Sequence, residues 1–173
     1  VTPLVAVAYV WMIMYNPQFG LIDKIFGLDI NWLFDSRFAL PAIMAMTIWK
    51  DFGYAVILFL SGLMSLPSDC YESSQIDGAT AWQTFRYITL PLLRPTMLFV
   101  VVTSIISYLQ AYVPVLVMTK GGPGTSTYLS SYLVYDQAFK QYNFGYASAI
   151  SLFILLLTAV FTLISFRVTG QKQ

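Results

Sequence analysis

The sequence predicts an all-α membrane protein, a polytopic bundle of transmembrane helices. Of its 173 residues, 58% are hydrophobic and only 10% are charged, whereas an ordinary soluble domain is about 25% charged. The mean hydropathy of +0.70 points the same way. Too few charged side chains are present to cover a water-exposed surface, and in a bilayer a helix satisfies its backbone groups within one segment.

The composition also excludes several classes of function. The chain contains no histidine and one cysteine, and its formal net charge is +1. These counts exclude zinc sites built on histidine and cysteine, disulfides within the chain and a histidine-based catalytic triad. The basic residues are scattered singly, so the sequence offers no electrostatic footprint for nucleic acid.

The first apolar segment is short. Residues 1–15 precede Asn16 and Pro17, and they provide only about 15 apolar positions where a full span needs roughly 20. We therefore expect the chain to start inside a transmembrane helix and to form the C-terminal part of a longer protein.

Three longer apolar segments follow, at residues 38–66, 96–118 and 147–166. The last two contain no charged residue and are each long enough to cross a hydrocarbon core of about 30 Å as one helix. Pro114 is expected to bend the helix at 96–118. Basic residues do not predict the orientation of these helices, because the loops on the two sides carry equal numbers of them.

The connection at residues 67–95 is the most informative segment. Asp69, followed three residues later by Glu72, predicts the N-cap of a short helix that stops at Gly78. Thr80 and Gln83 repeat the cap pattern and predict a second short helix, which ends at Leu90-Pro91. Two short helices at a bend predict a compact knob that docks into a partner.

The same connection carries a recognisable motif. Glu72-Ser73-Ser74, Asp77-Gly78-Ala79, Phe85, Ile88 and Leu90-Pro91 resemble the EAA loop of permease subunits in ABC importers, and most closely that of the maltose-type sugar permeases. Gly121-Gly122-Pro123 and the run from Gly145 to Ala149 also resemble this family. The two alanines that name the motif are serines here, at Ser73 and Ser74, whose hydroxyls could alter the contact.

The resemblance implies a fold and a coupling mechanism. Residues 1–173 would be part of the transmembrane domain of an ABC importer, the C-terminal portion of a six-helix permease core without its N-terminal part. Residues 67–95 would be the cytoplasmic coupling loop, seated on the ATPase subunit, with Glu72, Asp77, Gly78 and Ala79 at the contact. Gly78 lacks a Cβ, which would let another backbone approach closely; the alternative is that Gly78 only stops the helix.

The resemblance also implies partners and a location. These are a second permease subunit, identical or different, a pair of cytoplasmic ATPase subunits, membrane lipid and an extracytoplasmic solute-binding protein that the connections 16–37 and 119–146 could receive. The chain would be a multi-pass protein of a bacterial or archaeal inner membrane, with its C-terminus in the cytoplasm. It would be a transport subunit rather than an enzyme and would need no cofactor of its own, because the ATPase partner binds ATP.

Polar residues within the spans predict a substrate pathway. Thr47, Lys50, Asp51 and Tyr54 recur at helical spacing on one side of the segment 38–66, and a charged residue inside a membrane should face protein or water. Ser107 and Tyr108 follow on the next span.

The resemblance places five of these six residues, all except Lys50, where maltose-type permeases contact substrate. Hydroxyl, carboxylate and aromatic groups together suit a sugar or polyol. Lys50 would equally suit a glycerol-phosphate-type solute or a structural role at the membrane interface. For any one residue, the alternative is a polar contact between helices with no ligand.

Two other classes of function are weighed against the importer. An ion-coupled secondary transporter would use Asp51 as its coupling carboxylate with Lys50 beside it, but adjacent helical residues point about 100° apart and are expected to pair poorly. A membrane-embedded enzyme would use Asp51 as acid or base. That reading is disfavoured, because no histidine and no second carboxylate lie in any span.

Overall fold

The computed structural model describes residues 3–27 and 29–170. Within these residues every regular element is helical, which confirms the all-α prediction. The residues at both ends of the chain, including Val1 of the first predicted segment and Lys172 of the C-terminus, lie outside the described part. The α-helices are α1 Leu4–Met14, α2 Leu21–Phe26, α3 Ala39–Met64, α4 Ser68–Ile76, α5 Ala81–Thr84, α6 Leu90–Leu92, α7 Arg94–Leu109, α8 Val113–Met118, α9 Ser130–Tyr135 and α10 Phe144–Gly170, with π-helical turns at Phe85–Thr89 and Asp136–Lys140.

Among the described residues, two helices are long and apolar enough to cross a membrane. These are α3 and, within α10, the stretch Phe144–Arg167. The segments Ala81–Leu92 and Arg94–Leu109 qualify as a third span only when taken together, and they meet at a bend of 63°. Of residues 144–167, Ala147 and Thr158 are buried within this chain and the others are not, so most of the surface of α10 can meet lipid or another protein.

The predicted helix over residues 96–118 is wrong as a single element. Helix α7 ends at Leu109 and α8 begins at Val113. Pro114 has no N–H to donate to the carbonyl of Gln110, four residues earlier. That carbonyl instead accepts a hydrogen bond from the N–H of Tyr112, at 3.0 Å. The expected effect of Pro114 is therefore present, but it is a break one turn before the proline rather than a gentle bend.

The chain divides into two compact units, residues 1–51 with 107–157 and residues 52–106 with 158–173. In the first unit, α1 packs closely against α8. The core of that unit includes Met46, Val115 and Tyr132, each fully buried. The hydroxyl of Tyr15 donates a hydrogen bond of 2.9 Å to the carbonyl of Ala42, which ties the end of α1 to α3.

The second unit depends on a close approach at Gly62 of α3. A Cβ added to Gly62 would lie 2.5 Å from the side-chain oxygen of Thr96 and 3.1 Å from Leu93. Glycine therefore lets the side chain of Thr96, at the start of α7, lie directly against the backbone of α3. This contact fixes the point from which the connection 67–95 leaves and returns.

Candidate functional site

The end of α4 forms a complete hydrogen-bonded helix stop. The N–H of Ala79 donates to the carbonyl of Ser74 at 3.0 Å, and the N–H of Gly78 donates to the carbonyl of Gln75 at 3.1 Å. Gly78 has a φ of +72°, the left-handed conformation that this pattern requires and that glycine adopts without strain. The predicted stop at Gly78 is confirmed.

The start of α4 differs from the prediction. The helix begins at Ser68 after Pro67, which makes no side-chain cap, and Asp69 lies inside the first turn rather than at the N-cap. Proline suits this position, because its ring restricts φ to a value compatible with the extended backbone found before the helix. Within the first turn, the Asp69 carboxylate still lies near the positive end of the helix dipole.

The second short helix begins as predicted but ends later. Thr80 and Gln83 form a reciprocal capping box at its start, with the amide oxygen of Gln83 accepting from the N–H of Thr80 at 2.8 Å. The predicted end at Leu90-Pro91 is wrong, since helical structure continues to Leu92. Pro91 lies within that last helical segment, Leu90–Leu92.

Hydroxyl groups join the two short helices to one another. Ser74 is buried, donates to the carbonyl of Tyr71 at 2.8 Å and lies 3.5 Å from the hydroxyl of Thr84. The hydroxyl of Tyr71 lies 3.0 Å from that of Thr89. Ser73, by contrast, is exposed and bonds only to its own helix, at the carbonyl of Asp69. Of the two serines that replace alanine in the motif, only Ser74 is therefore in the packed interface.

The free end of this knob combines acidic and apolar groups. Glu72 and Asp77 are exposed, and Ala79 is half-buried. Ile76 is 86% exposed and Trp82 is 67% exposed, so this end of the knob offers apolar surface as well as carboxylates. Because these side chains surround the helix stop, the knob presents a mixed docking face.

Gly78 itself faces open space. A Cβ added there would meet no atom of this chain within 4 Å. No other described segment of this chain therefore approaches Gly78 closely. The requirement that the structure does show is the positive φ angle.

Beside the knob runs a groove of about 490 Å³ on the same unit. Its lining is mostly apolar, and it includes the single cysteine, which is half-buried. The lining residues are Asp69, Cys70, Ser73, Tyr87, Ile88, Pro91 and Leu92.

Lys50 and Asp51 form an ion pair within the predicted pathway. The Nζ of Lys50 lies 2.5 Å from Oδ1 of Asp51, and the two side chains are 25% and 30% exposed. The expectation that adjacent helical residues pair poorly is wrong here, because the long lysine stem bends its ammonium group back to the neighbouring carboxylate.

Tyr108 joins this pair from the next helix. The carboxylate of Asp51 acts electrostatically on the hydroxyl of Tyr108, so two predicted pathway residues from different spans lie near one another. Thr47 and Tyr108 both line an apolar groove of about 320 Å³ that also contains Pro114. The hydroxyl of Thr47 already donates to the carbonyl of Ile43 at 2.8 Å.

The other two pathway residues are not brought into this cluster. Tyr54 follows on α3 and is 57% exposed. Ser107, just before Tyr108, is also exposed. Their surfaces are accessible, but the structure shows neither bonded to the Lys50–Asp51 pair.

A polar network in the connection 119–146 was not predicted from the sequence. Asp136 is buried, pairs with Lys140 at 2.8 Å and accepts a bond of 2.6 Å from the hydroxyl of Tyr128. Lys140 also donates to the hydroxyl of Tyr132 at 2.6 Å. The i,i+4 spacing of Asp136 and Lys140 is the one sequence signal that could have indicated it.

The network shifts the pKa values of its members. Hydrogen bonds from Lys140 first, and then from Tyr128, hold the pKa of Asp136 below its usual value. Burial, followed by the bond to Asp136, raises the pKa of Tyr128 to about 12. The ionised form of Asp136 and the neutral form of Tyr128 are thus the ones that this fold stabilises.

A wide cleft of about 800 Å³ also lies in the first unit. It combines carboxylates with aromatic side chains and was not predicted either. The lining residues are Asp29, Ile30, Asn31, Phe34, Asp35, Ser36, Phe38, Pro123 and Gly124.

Comparison with known proteins identifies relatives over the whole length of the chain. Residues 1–170 match the family model described as the binding-protein-dependent transport system inner membrane component. A probable ABC transporter permease protein of Pyrococcus horikoshii is 39% identical over 92% of this chain and 56% of its own length. The trehalose/maltose transport system permease protein MalF of Thermococcus litoralis is 35% identical over 96% of this chain and 57% of its own length.

Solved structures agree with the sequence relatives. A chain of a bacterial ABC transporter involved in the import of the acidic polysaccharide alginate matches with a TM-score of 0.86 and 26% identity, over 99% of this chain and 62% of that one. The present chain therefore spans less than two thirds of each of these relatives. These matches give no support to the alternative of an ion-coupled secondary transporter. The chain belongs to the family of binding-protein-dependent transport system inner membrane components.

Proposed function

We propose that this chain is part of the permease subunit of an ATP-driven ABC importer. Its spans would line the path of a sugar, a polyol or a related glycerol-phosphate-type solute. The chain would bind no cofactor and catalyse no reaction, because ATP would be bound and hydrolysed by a partner subunit. Family membership over residues 1–170 is the observation that carries this proposal.

The connection 67–95 is the proposed contact with the ATPase. Glu72, Asp77, Gly78 and Ala79 surround the end of α4, and the first three are exposed. The open space around Gly78 leaves room for a partner surface to approach the turn. This assignment puts the connection and the C-terminus in the cytoplasm of a bacterium or archaeon.

The proposed partners follow from the relatives. One solved alginate transporter was crystallised with an alginate pentasaccharide-bound periplasmic protein, and our chain resembles that transporter with a TM-score of 0.84. We propose that this permease likewise receives solute from an extracytoplasmic binding protein, through the connections 16–37 and 119–146. A second permease, identical or different, and two ATPase subunits would complete the complex.

The proposed substrate class combines names of relatives with residue chemistry. MalF of Thermococcus litoralis belongs to a trehalose/maltose transport system, and a lactose transport permease of Rhizobium radiobacter is 31% identical to this chain. Asp51, Tyr54 and Tyr108 offer a carboxylate and aromatic faces, which suit the hydroxyls and CH faces of a sugar.

Reconstitution of the full-length parent protein tests the proposal. The protein would be purified with its natural partners, placed in proteoliposomes and supplied with the binding protein and a panel of labelled sugars. We expect uptake that requires ATP inside the vesicles and persists when ion gradients are collapsed. Uptake that follows a proton or sodium gradient without ATP would contradict it.

One variant of the pathway sharpens that assay. Tyr54→Ala should weaken uptake severalfold while the basal ATPase activity and the assembled complex persist, because an exposed aromatic face is lost without disturbing a buried contact. Ile57→Ala, another exposed position on α3, is the matched control. Loss of assembly in Tyr54→Ala would favour a purely structural role.

A further inference from the structure

The positive charge of Lys50 is neutralised by the adjacent carboxylate of Asp51. A lone ammonium group facing a solute path would attract anions such as phosphates or sugar carboxylates. Here the Nζ of Lys50 lies 2.5 Å from Oδ1 of Asp51. Both side chains keep about a quarter or more of their surface accessible, so the pair is presented as a unit rather than hidden in the core.

The groove beside the pair is lined by uncharged side chains. The carboxylate of Asp51 interacts with the neutral hydroxyl of Tyr108. Tyr108 lines the groove of about 320 Å³ together with Thr47, and the other side chains that line it are apolar. The groove therefore offers hydroxyl groups and apolar surface, with the closed Lys50–Asp51 pair one helical turn from Thr47.

We infer that Asp51 is a specificity-determining residue that makes this path favour uncharged, hydroxyl-rich solutes over anionic ones by neutralising Lys50. This inference rests on the proposed transport function and narrows its substrate class. A bare charge about 6 Å from an anion raises the local concentration of that anion by about threefold in bulk water and by about a hundredfold at an effective dielectric constant near 20. Pairing removes that attraction but leaves polar atoms that can bond to neutral hydroxyls.

Thiol reactivity measures this local charge without knowledge of the solute. In the full-length permease, assembled with its partners, Cys70 would be replaced by serine and Thr47→Cys would place a thiol in the groove. Thr47 precedes Lys50 by three and Asp51 by four residues, on the same side of α3. The readout is the ratio of reaction rates with the anionic sulfonatoethyl and the cationic trimethylammonioethyl methanethiosulfonates.

The variants separate pairing from mere presence of charge. Asp51→Asn should raise the anion-to-cation rate ratio by at least about tenfold, because the released Lys50 attracts the anionic reagent and repels the cationic one. Lys50→Gln should lower it by a similar factor. The double variant Lys50→Gln with Asp51→Asn has no unpaired charge, so it should fold even if a single variant does not. Its anion-to-cation rate ratio should stay within about twofold of the parent ratio.

Several results would overturn the inference. A parent that already strongly prefers the anionic reagent would show that Lys50 is not neutralised. A double variant whose anion-to-cation rate ratio differs markedly from that of the parent would also show that Lys50 is not neutralised. A thiol at position 47 that reacts with neither reagent would show that the groove is closed to solutes. None of these results depends on uptake, so failure of this inference is distinguishable from failure of the proposed transport function.

Discussion

The hydroxyl groups of Tyr71 and Thr89 lie 3.0 Å apart and join helix α4 to the π-helical turn that leads toward α7. Only a few residues separate Thr89 from Arg94, where α7 begins after a bend of 63°. A force applied to the exposed end of α4 would therefore reach the foot of α7 through one hydrogen-bonded contact and a short helical segment. In the proposed importer, this is the route by which ATPase closure would move a span.

Gly78 provides the first test of that coupling. Gly78→Asn keeps the left-handed turn, which asparagine tolerates, whereas Gly78→Ala strains it by about 1 kcal/mol. If a partner approaches the turn closely, Asn and Arg at this position should both uncouple ATP hydrolysis from uptake while Ala does so less. If only the turn matters, Asn should behave as wild type.

The matched control for backbone strain is Gly27. It also has a positive φ, of 62°, and a Cβ there would meet no atom within 4 Å. Gly27 lies in the connection 16–37, so any loss of binding-protein docking in Gly27→Arg should lower uptake and ATP hydrolysis together and leave their ratio unchanged. Equal uncoupling by both arginine variants would count against a contact at Gly78.

The two serines of the motif should differ in their tolerance to size. Ser74→Leu should destabilise the knob by about 1–3 kcal/mol, because the site is 6% exposed and packed against Thr84. Ser74→Ala should cost less than about 1 kcal/mol, since only one local hydroxyl bond is lost. Thermal unfolding of the full-length complex measures both, with Ser73→Leu on the exposed side as a control that should be near neutral.

Gly62 and Gly53 form a matched pair on α3. Gly62→Ala should destabilise by about 1–3 kcal/mol, since the new methyl group would lie 2.5 Å from Thr96. Gly53→Ala meets no atom within 4 Å and should be neutral or stabilise by up to about 1 kcal/mol through helix propensity. Equal thermal stabilities for the two alanine variants would contradict the close approach of α3 and α7.

Asp136 should make stability depend on acid pH. Because its folded-state pKa is lowered, its contribution is present above the unfolded value of about 3.9 and is lost as pH falls through the folded value. Asp136→Asn should lower the melting temperature at pH 7 by about 2–4 °C, the shift that about 1 kcal/mol produces in a protein of this size.

The difference between wild type and Asp136→Asn is the quantity to follow from pH 7 to pH 3. It should shrink toward the acid end, because both chains then lack the charge. Lys140→Gln, which removes the largest cause of the shift, should move the transition of the wild-type carboxylate upward in pH. A difference that stays constant over the whole range would refute the assignment.

Local chemistry explains which parts of this molecule the sequence could predict. The capping box of Thr80 and Gln83 and the stop at Gly78 depend on residues within a few positions, so their patterns transfer directly to structure. The break before Pro114 was harder to locate, because a proline acts on the carbonyl four residues earlier.

Contacts between distant or flexible groups account for what was missed. The pairing of Lys50 with Asp51 depends on the conformation of a long side chain, which helical geometry alone does not fix. The environment of Asp136 depends on Tyr128, eight residues away. For the environment of Asp136, the sequence offered only the i,i+4 spacing to Lys140, and for the Lys50–Asp51 pair it offered no spacing that favours pairing.

Site-specific photo-crosslinking from Ile76 tests directly whether the ATPase subunit contacts the knob at residues 67–95. Ile76 is 86% exposed beside the turn at Gly78, and a benzoylphenylalanine there in the full-length protein would react with whatever covers the knob. Phe34, 74% exposed in the connection 16–37, is the control position. We expect the Ile76 probe to capture the ATPase subunit and the Phe34 probe not to capture it. Capture of the ATPase from Phe34, or of lipid alone from Ile76, would contradict it.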